Sequence, residues 1–481
     1  MPLSASSSAR PGRRLRPAHL CAVLGLLPVW ARAAEIDGAA LGVAWAVPFI
    51  GMLLSIALMP LLLPKVWHHH YGKIAAGWAA AFVLPYLLQA GPASTAGVLW
   101  HMVLGEYLPF IVLLTALFTV SGGILLRGNL HGSPGLNTGI LALGAVLASL
   151  MGTTGASMLL IRPLLRANDD RRHTTHVWVF FIFIVSNIGG SLTPLGDPPL
   201  FLGFLQGVHF GWTFSHLLPE TGFMLVVLLL LFWLIDRHWY AKEGVLPVDP
   251  TPDSPQGLSI EGRLNFLLLG AIVGLVLMSG TWKPGIEVTL GGVAVALPSL
   301  LRDVGLVAVT LASLVLTSRA VREDNQFGWA PMQEVAKLFV GIFVTMLPVL
   351  AMLKAGEAGA FGAVVRAVTG PDGQPLPWAY FWASGLLSSF LDNAPTYLVF
   401  FNLAGGDPVQ LMGPLASTLA AISAGSVFMG ANSYIGNAPN FMVKAIVEDR
   451  GQTMPSFFGY MAWSFGILVP LFALVTWIWM R

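Results

Sequence analysis

Charged residues and cysteine are both scarce in this sequence. Only 10% of its 481 residues are Asp, Glu, Lys or Arg, whereas soluble globular proteins carry about 25%. Hydrophobic residues make up 56% of the chain, and its mean hydropathy is +0.75. Cys21 is the only cysteine, which excludes a disulfide framework and a cysteine-ligated metal site. The composition predicts a polytopic membrane protein, and a net charge of +2 gives no reason to expect a nucleic-acid partner.

Two motifs that would indicate other functions are also missing. The chain has no nucleotide-binding glycine loop, so ATP-driven transport is not supported. It has no His-Glu-x-x-His motif, which argues against an intramembrane metalloprotease, and we expect no enzymatic activity. Three consecutive histidines, His68 to His70, adjoin Lys65, and we interpret them as a solvated basic loop, with a metal site as the alternative.

The first 34 residues have the pattern of a targeting segment. Arginines at 10, 13, 14 and 16 precede a short apolar run from Ala18 to Trp30, and Ala31-Arg32-Ala33 follows as a small-residue cleavage site. The run is too short to cross a membrane comfortably. We therefore predict a cleavable signal peptide over residues 1–34, with a short extra membrane segment as the alternative.

The stretch from Ser186 to Pro199 interrupts a long apolar segment. It reads Ser-Asn-Ile-Gly-Gly-Ser-Leu-Thr-Pro-Leu-Gly-Asp-Pro-Pro, with apolar residues on both sides. Glycine and proline disfavour a continuous helix, and a helix broken inside a membrane leaves backbone groups that must line a polar cavity or bind something. Asp197 lies in this stretch, and an intramembrane carboxylate is a functional-site candidate. The stretch therefore predicts a broken transmembrane helix that carries a binding site.

A second stretch repeats this pattern late in the chain. Gly430 to Asn440 reads Gly-Ala-Asn-Ser-Tyr-Ile-Gly-Asn-Ala-Pro-Asn, and its Gly436 and Pro439 align without a gap with Gly196 and Pro199. Asn437 then takes the place of Asp197, so the two half-sites differ in charge. Paired apolar segments interrupted by Gly and Pro are the best sequence indication of a transporter binding site.

Two further apolar segments have polar centres. Residues 135–165 contain Gly152-Thr153-Thr154-Gly155, and residues 378–403 contain the polar stretch from Ser388 to Thr396. At about 1.5 Å per residue the first is too long for one upright span of ~30 Å and too short for two. Basic residues flank it on both sides, whereas the loop after the second has no Lys or Arg. We predict re-entrant hairpins that enter from opposite sides, with one long tilted helix as the alternative for the first.

Hairpin and broken helix thus recur in the same order and in opposite orientation. The predicted fold is an all-α polytopic membrane protein with two inverted-topology repeats, residues 42–240 and 263–481, joined by a cytoplasmic linker over 241–262. Each repeat contains a re-entrant hairpin and a broken transmembrane helix. The absence of Lys and Arg also predicts an external loop from Gln89 to Tyr107. Residues 288–301 are apolar and Gly-rich but short, and we predict an interfacial or re-entrant segment there.

Oxygen-bearing side chains at these breaks suit a hard cation such as Na⁺. The candidate ion- or substrate-binding residues are Ser186, Asn187, Gly190, Ser191, Thr193, Asp197, Thr154, Asp392, Asn393, Thr396, Asn432, Ser433 and Asn437. Ser191 and Thr193 could equally satisfy the broken backbone, and Asp392 suits a helix cap. Lys337 opens a long apolar run and is a candidate counter-ion for a site aspartate.

These motifs resemble a known group of membrane proteins. The stretch from Ser186 to Pro199, taken with Asp392-Asn393-Ala394-Pro395-Thr396, is similar to the ion transporter superfamily, and closest to its CitMHS-like branch of citrate transporters and sodium:proton antiporters. The resemblance implies two inverted repeats, a scaffold that forms a homodimer, and a mobile unit of hairpin plus broken helix. Carboxylate carriers of the superfamily have Ser-Asn-Thr motifs at the hairpin tips. The present tips differ, which argues against a di- or tricarboxylate substrate.

The leading functional prediction is a sodium/proton antiporter in the inner cell membrane. Asp197, either alone or with Asp392, would bind Na⁺ when ionised and H⁺ otherwise, so competition for a carboxylate would give antiport. The alternative is a citrate or metal–citrate symporter driven by H⁺ or Na⁺, in which helix N-termini and amides hold the carboxylates. No cofactor is expected. The expected partners are the lipid bilayer, a small cation and, in the alternative, a carboxylate.

Overall fold

A computed structural model describes residues 36–128, 130–243, 259–371 and 373–481. The predicted signal peptide and most of the predicted linker lie outside these ranges. Within them the chain is largely helical, and nine helical segments are long and apolar enough to cross a membrane. The prediction of an all-α polytopic membrane protein is therefore confirmed, and the chain is a multi-pass membrane protein.

The α-helices follow one another in a simple order along the chain. They are α1 (Val47–Leu62), α2 (Pro64–Met102), α3 (Leu108–Ser121), α4 (Pro134–Met151), α5 (Thr153–Ala167), α6 (Thr175–Ile184), α7 (Pro198–Leu205), α8 (Phe210–Lys242), α9 (Leu264–Thr281), α10 (Leu297–Leu316), α11 (Arg319–Asp324), α12 (Ala330–Lys354), α13 (Gly362–Ala367), α14 (Pro377–Ser388), α15 (Asn393–Leu403), α16 (Pro408–Met412), α17 (Ala416–Phe428), α18 (Ala438–Asp449) and α19 (Phe457–Trp479). Short 3₁₀ turns at Ile188–Leu192 and Met429–Asn432 lie within the two predicted helix breaks.

Two small antiparallel β-pairs lie between the helices. Strand β1 (Leu125–Arg127) pairs with β2 (Ser259–Glu261), and β3 (Glu287–Leu290) pairs with β4 (Val293–Ala296). The segment over 288–301, predicted to be interfacial or re-entrant, thus forms most of this second pair and the first residues of α10. Gly291 and Gly292 both have positive φ, 55° and 89°, which allows the two-residue turn of a β-hairpin.

The predicted external loop from Gln89 to Tyr107 is helical instead. Helix α2 continues through it to Met102, with a kink at Gly91 (φ 81°) just before Pro92, and a π-helical turn at Val103–Tyr107 leads into α3. The absence of Lys and Arg from this segment could not distinguish a loop from an uncharged helix. A glycine can adopt positive φ without strain, so the helix can kink at this one residue and then continue.

The helices pack as two groups. We call α1, α2, α3, α9, α10 and α12 the frame, because they contact mainly one another. We call α4–α8, α14, α15 and α17–α19 the bundle, for the same reason. Helix α6 and the turn after it have 89% of their residues buried, whereas α9 and α10 have 17%. The broken helix therefore forms the centre of the molecule, and frame helices present much of the lipid-facing surface.

A buried polar cluster holds one end of the bundle together. Arg171 donates to the carboxylate of Asp236 on α8 at 2.5 Å, and both side chains are fully buried. The same carboxylate accepts from Asn137 on α4 at 3.0 Å and contacts His176 on α6 at 2.9 Å. Removing one partner of a buried ion pair is strongly destabilising. The cluster therefore fixes α4, α6 and α8 to one another at the end of the molecule that carries the basic loops.

Candidate functional site

The carboxylate of Asp197 lies where four helices begin. Thr153 Oγ1 donates to its Oδ1 at 3.0 Å, Asn437 Nδ2 donates to the same atom at 3.2 Å, and Asn393 Nδ2 donates to Oδ2. Thr153 is the first residue of α5 and Asn393 the first of α15, while Asp197 and Asn437 are the N-caps of α7 and α18. The partial positive charge of each helix N-terminus therefore faces the same point, which suits an anion.

All of these partners are neutral. Asp197 is only 2% exposed, and in the described ranges no Lys, Arg or His side chain donates to it. Next to it, Asn393 Oδ1 is buried and has no hydrogen-bond partner among the described residues. An ionised carboxylate in such surroundings is costly unless a proton or a cation accompanies it. The carboxylate and the unsatisfied amide oxygen together offer oxygen ligands for a hard cation.

A chain of amides surrounds this centre. Asn437 Nδ2 also approaches the carbonyl of Ser186 and Oδ1 of Asn187, both at 3.2 Å. Asn187 in turn donates to Asn440 Oδ1 at 2.7 Å, and Asn440 donates to the carbonyl of Gly430 at 2.8 Å. The two predicted breaks are thus brought together and cross-linked by amide hydrogen bonds, although about 250 residues separate the bonded side chains.

Close backbone contact sets the shape of the first break. A Cβ atom on Gly196 would lie 2.1 Å from the carbonyl oxygen of Gly190, and one on Gly190 would lie 2.5 Å from a methyl carbon of Thr153. The N–H of Thr153 donates to the carbonyl of Gly196 at 2.9 Å. Glycine is therefore required at 190 and 196 so that the break can pass close to the start of α5.

The two breaks are braced in the same way, at positions 240 residues apart. Thr193 Oγ1 donates to the carbonyl of Ser149 and accepts from the N–H of Leu195. Ser433 Oγ donates to the carbonyl of Ser389 and accepts from the N–H of Ile435. Thr193 thus satisfies freed backbone groups, which is the alternative that the sequence left open for it, and Ser433 does the same in the second break.

Other predicted residues lie close to the centre without contacting Asp197. Ser186 pairs with Ser157 at 2.9 Å, and Ser191 bonds the carbonyl of Ile188 and the hydroxyl of Thr221. Asn432 donates through Nδ2 to Ser389 Oγ at 2.9 Å, and its buried Oδ1 has no partner in the part of the chain that the structure describes. These side chains stabilise the breaks and are not in direct contact with the carboxylate.

The two predicted hairpin tips contribute differently to the centre. Asp392 is the N-cap of α15 and accepts from the N–H of Ala394 at 3.0 Å, while its carbonyl accepts from Thr396 at 2.9 Å. Thr153 contacts Asp197. Thr154, the adjacent residue that the sequence analysis named as a site candidate, is partly exposed. The sequence offered two adjacent threonines at this tip. Only the start of α5 at Thr153 decides which of them faces the centre.

Lys337 does not reach the site, so its assignment as a counter-ion was wrong. Its side chain is exposed, and its ammonium lies 5.4 Å from the centre of the Tyr71 ring. On α12 the buried face carries Phe339, Ile342 and Phe343, and Lys337 lies on another face. In the described part of the chain, no group of three or more His, Cys, Asp or Glu is arranged to hold a metal.

Comparison with known proteins agrees with this architecture. Residues 38–480 match the family described as "Putative citrate transport". "Uncharacterized transporter Rv2684" of Mycobacterium tuberculosis and "Uncharacterized transporter Mb2703" of Mycobacterium bovis are each 25% identical over 333 residues, which cover 67% of this chain and 71% of theirs. The "46 kDa membrane protein" of Mycobacterium leprae is 25% identical over 365 residues, 73% of this chain and 78% of its own. A multi-pass membrane protein with these similarities is a transporter.

Proposed function

The chain belongs to the family described as "Putative citrate transport", and on that premise we propose that it is a secondary active transporter that exchanges Na⁺ for H⁺ at Asp197. The observation that carries the proposal is the environment of this carboxylate. It is buried at the meeting point of four helices, and only neutral donors reach it from the described residues. A cation or a proton would complete the site.

The exchange follows from competition for one group. With Na⁺ bound, the carboxylate of Asp197 and Oδ1 of Asn393 would supply oxygen ligands, and Thr153 could turn its hydroxyl oxygen toward the ion. With H⁺ bound, the neutral carboxyl group would need no cation. Because one carboxylate cannot hold both, each outward or inward movement of the loaded site carries one ion in exchange for the other.

We also propose the architecture that would move the site. Helices α4 and α5, and likewise α14 and α15, would form the two re-entrant hairpins of inverted repeats, because the bracing bonds recur at a spacing of 240 residues. The bundle would move against the frame across a contact formed by Phe118, Met158 and Met332. Methionine side chains are flexible and adapt to a sliding contact. The same proposal includes a homodimer, assembled through the frame, in the cell membrane.

One observation favours the second candidate, a citrate or metal–citrate symporter. The N-termini of α5, α7, α15 and α18 converge on one point, and such termini bind the carboxylates of substrates as readily as they stabilise Asp197. The family description also names citrate. In this candidate Asp197 would bind the coupling cation, and transport would require the carboxylate substrate.

Proton flux in liposomes tests the proposal. Purified protein is reconstituted with an internal pH dye, and Na⁺, Li⁺, K⁺ or citrate is added separately. We expect Na⁺ alone to move protons. Asp197→Asn retains size and capping ability, since Asn and Asp rank alike as helix caps. We expect this variant to lose at least about 90% of the flux, a tenfold or larger decrease in rate, at an unchanged melting temperature.

Asp392→Asn is the matched control, because Asp392 caps α15 and does not contact Asp197 through a hydrogen bond. We expect it to retain most of the flux. Substantial Na⁺-driven flux in the Asp197→Asn variant would reject the assigned role. Flux that appears only when citrate is present would instead favour the symporter.

A further inference from the structure

A cavity lies at the end of the molecule opposite the buried Arg171–Asp236 cluster. Its volume is about 270 Å³, which is slightly below the ~300 Å³ lower bound of typical ligand pockets and suits a compact molecule. Residues near the start of α3, α8 and α10 and at the end of α9 line it. These helices extend from the cavity toward the basic loops, so the cavity opens on the side that the sequence predicts to be external.

The wall of this cavity is rich in cationic and imidazole groups. Arg302 on α10, Lys283 after α9, His101 on α2 and His209 before α8 all line it. Asp303 is the one carboxylate among its described lining residues, and it accepts from Nε of Arg302 at 2.7 Å. Asp303 therefore offsets one of the two permanent cations and leaves Lys283 uncompensated in the wall.

Arg302 is buried in the cavity wall, whereas a surface arginine would be solvated. Its side chain is 3% exposed, and the structure gives it one hydrogen bond, through Nε, to a described residue. Its planar terminal nitrogens suit a carboxylate oxygen pair. The N-terminus of α10 opens onto the same cavity through Ala296 and Ser299, and no side chain caps it. A long helix supplies partial positive charge at such an end.

The cavity is mechanically connected to the Asp197 centre. Helix α7 begins at the N-cap Asp197 and ends at Leu205, which lines the cavity together with Phe204. Eight residues at 1.5 Å each place these two ends about 12 Å apart. The guanidinium of Arg302 lies 6.0 Å from the ring centre of Phe201 on the same helix. The cavity thus has frame residues on one side and bundle residues on the other.

We propose that this cavity binds a small anion with two or more carboxylates, at a site separate from Asp197. The two cationic side chains and the two imidazoles come from four separate parts of the chain, so they match an anion whose charges are spread over several groups better than a single compact charge. Its carboxylates would pair with Arg302 and Lys283, and the imidazoles and the α10 N-terminus would complete the site. A bound anion would bridge the frame and the end of α7, and would bias the movement of the bundle. The site does not depend on which ion Asp197 carries.

Titration calorimetry on the purified full-length protein tests this inference. Citrate, succinate, acetate and sulfate are titrated at constant Na⁺ and ionic strength. We expect citrate and succinate to bind, and acetate and sulfate to bind at least about tenfold more weakly. Lys283→Gln removes an exposed charge without disturbing the core, and should weaken citrate binding about tenfold, the value of one charge-assisted hydrogen bond. Lys65→Gln, an exposed lysine at the other end, is the matched control and should leave binding unchanged.

Two further variants separate this site from the central one. Arg302→Gln is combined with Asp303→Asn, so that neither buried charge is left unpaired, and it should abolish citrate binding. Asp197→Asn should retain it even if proton flux is lost. Loss of citrate binding in Asp197→Asn with full binding in Lys283→Gln would overturn the inference. Sulfate binding as tight as that of citrate, or no binding at millimolar citrate, would also overturn it.

Discussion

At the scale of single residues, the site depends on how a buried carboxylate is satisfied without a neighbouring cationic side chain. Three neutral donors contact Asp197, and they come from the starts of three different helices. Each donor has a short side chain and lies at the first residue or the N-cap of a helix, so few side-chain rotations separate it from the carboxylate. Rigid, preorganised ligands favour selectivity between cations of different size.

The two adjacent threonines at the first tip give a matched test of this geometry. Thr153→Val removes the hydroxyl that donates to Asp197 while it retains the shape of the side chain, so the carboxylate loses one charge-assisted bond. We expect the Na⁺ concentration for half-maximal flux to change by about tenfold or more, from a bond of roughly 1.5–3 kcal/mol. Thr154→Val should change it less than twofold. An equal effect of both substitutions would contradict the position assigned to Thr153.

The sequence predicted the residues at the centre well and their partners less well. Asp197, Asn393 and Asn437 were recognisable because each is polar and lies beside Gly or Pro in an apolar segment. Thr153 was missed because the choice between adjacent residues depends on where α5 begins. Lys337 was misassigned because its place in the sequence does not show which face of α12 it lies on. That face becomes clear only when Lys337 is compared with buried residues of the same helix, such as Phe339 and Ile342.

At the scale of elements, the break between α6 and α7 depends on backbone atoms that nearly touch. The carbonyl of Gly190 occupies the place where a side chain at 196 would be, and the second break repeats this with Gly430 and Gly436. The closeness holds Thr153, the first residue of α5, within hydrogen-bond distance of Asp197, the N-cap of α7. The breaks are therefore closely packed, defined structures and not frayed helix ends.

Gly196→Ala tests this close approach. The added methyl group would lie 2.1 Å from the carbonyl oxygen of Gly190, so the backbone must move. We expect a loss of about 1–3 kcal/mol in stability, seen as a lower melting temperature in detergent, and loss of ion flux. Gly139→Ala on the exposed face of α4 is the control, because no atom lies within 4 Å of its added methyl group. It should be neutral or slightly stabilising, since Ala favours a helix over Gly by about 1 kcal/mol.

The element boundaries show which sequence signals are decisive. Gly and Pro located the breaks and the starts of α7 and α18, because these residues act on the backbone directly. The helical course of α2 through Gln89 to Met102 could not be predicted, since a sparse Lys and Arg content indicates membrane side and not conformation. The β3–β4 hairpin was missed because a short apolar run fits a strand or a helix equally well until its turn is recognised.

At the scale of the whole molecule, orientation is the main prediction that remains to be tested. Basic residues flank the first hairpin, and the segment after the second has no Lys or Arg. We expect a cysteine at Thr154 to react with an impermeant thiol reagent from the cytoplasmic side, and one at the partly exposed Phe390 to react from outside. Cys21 is the only native cysteine, which keeps the background low. Labelling of both tips from one side under every condition would reject the inverted arrangement.

The frame and the bundle each take helices from both sides of residues 244–258. Strand β1 pairs with β2 across that interval, Arg127 contacts Glu261 and Asp324, and the donors at positions 393 and 437 reach a carboxylate at 197. Neither fragment of a chain divided there would bury its polar surface alone. Co-expressed as separate polypeptides, residues 1–250 and 251–481 should therefore assemble and co-purify through a tag on one of them, while each expressed singly is degraded. The two halves of this single chain therefore depend on each other as the two subunits of an obligate heterodimer do.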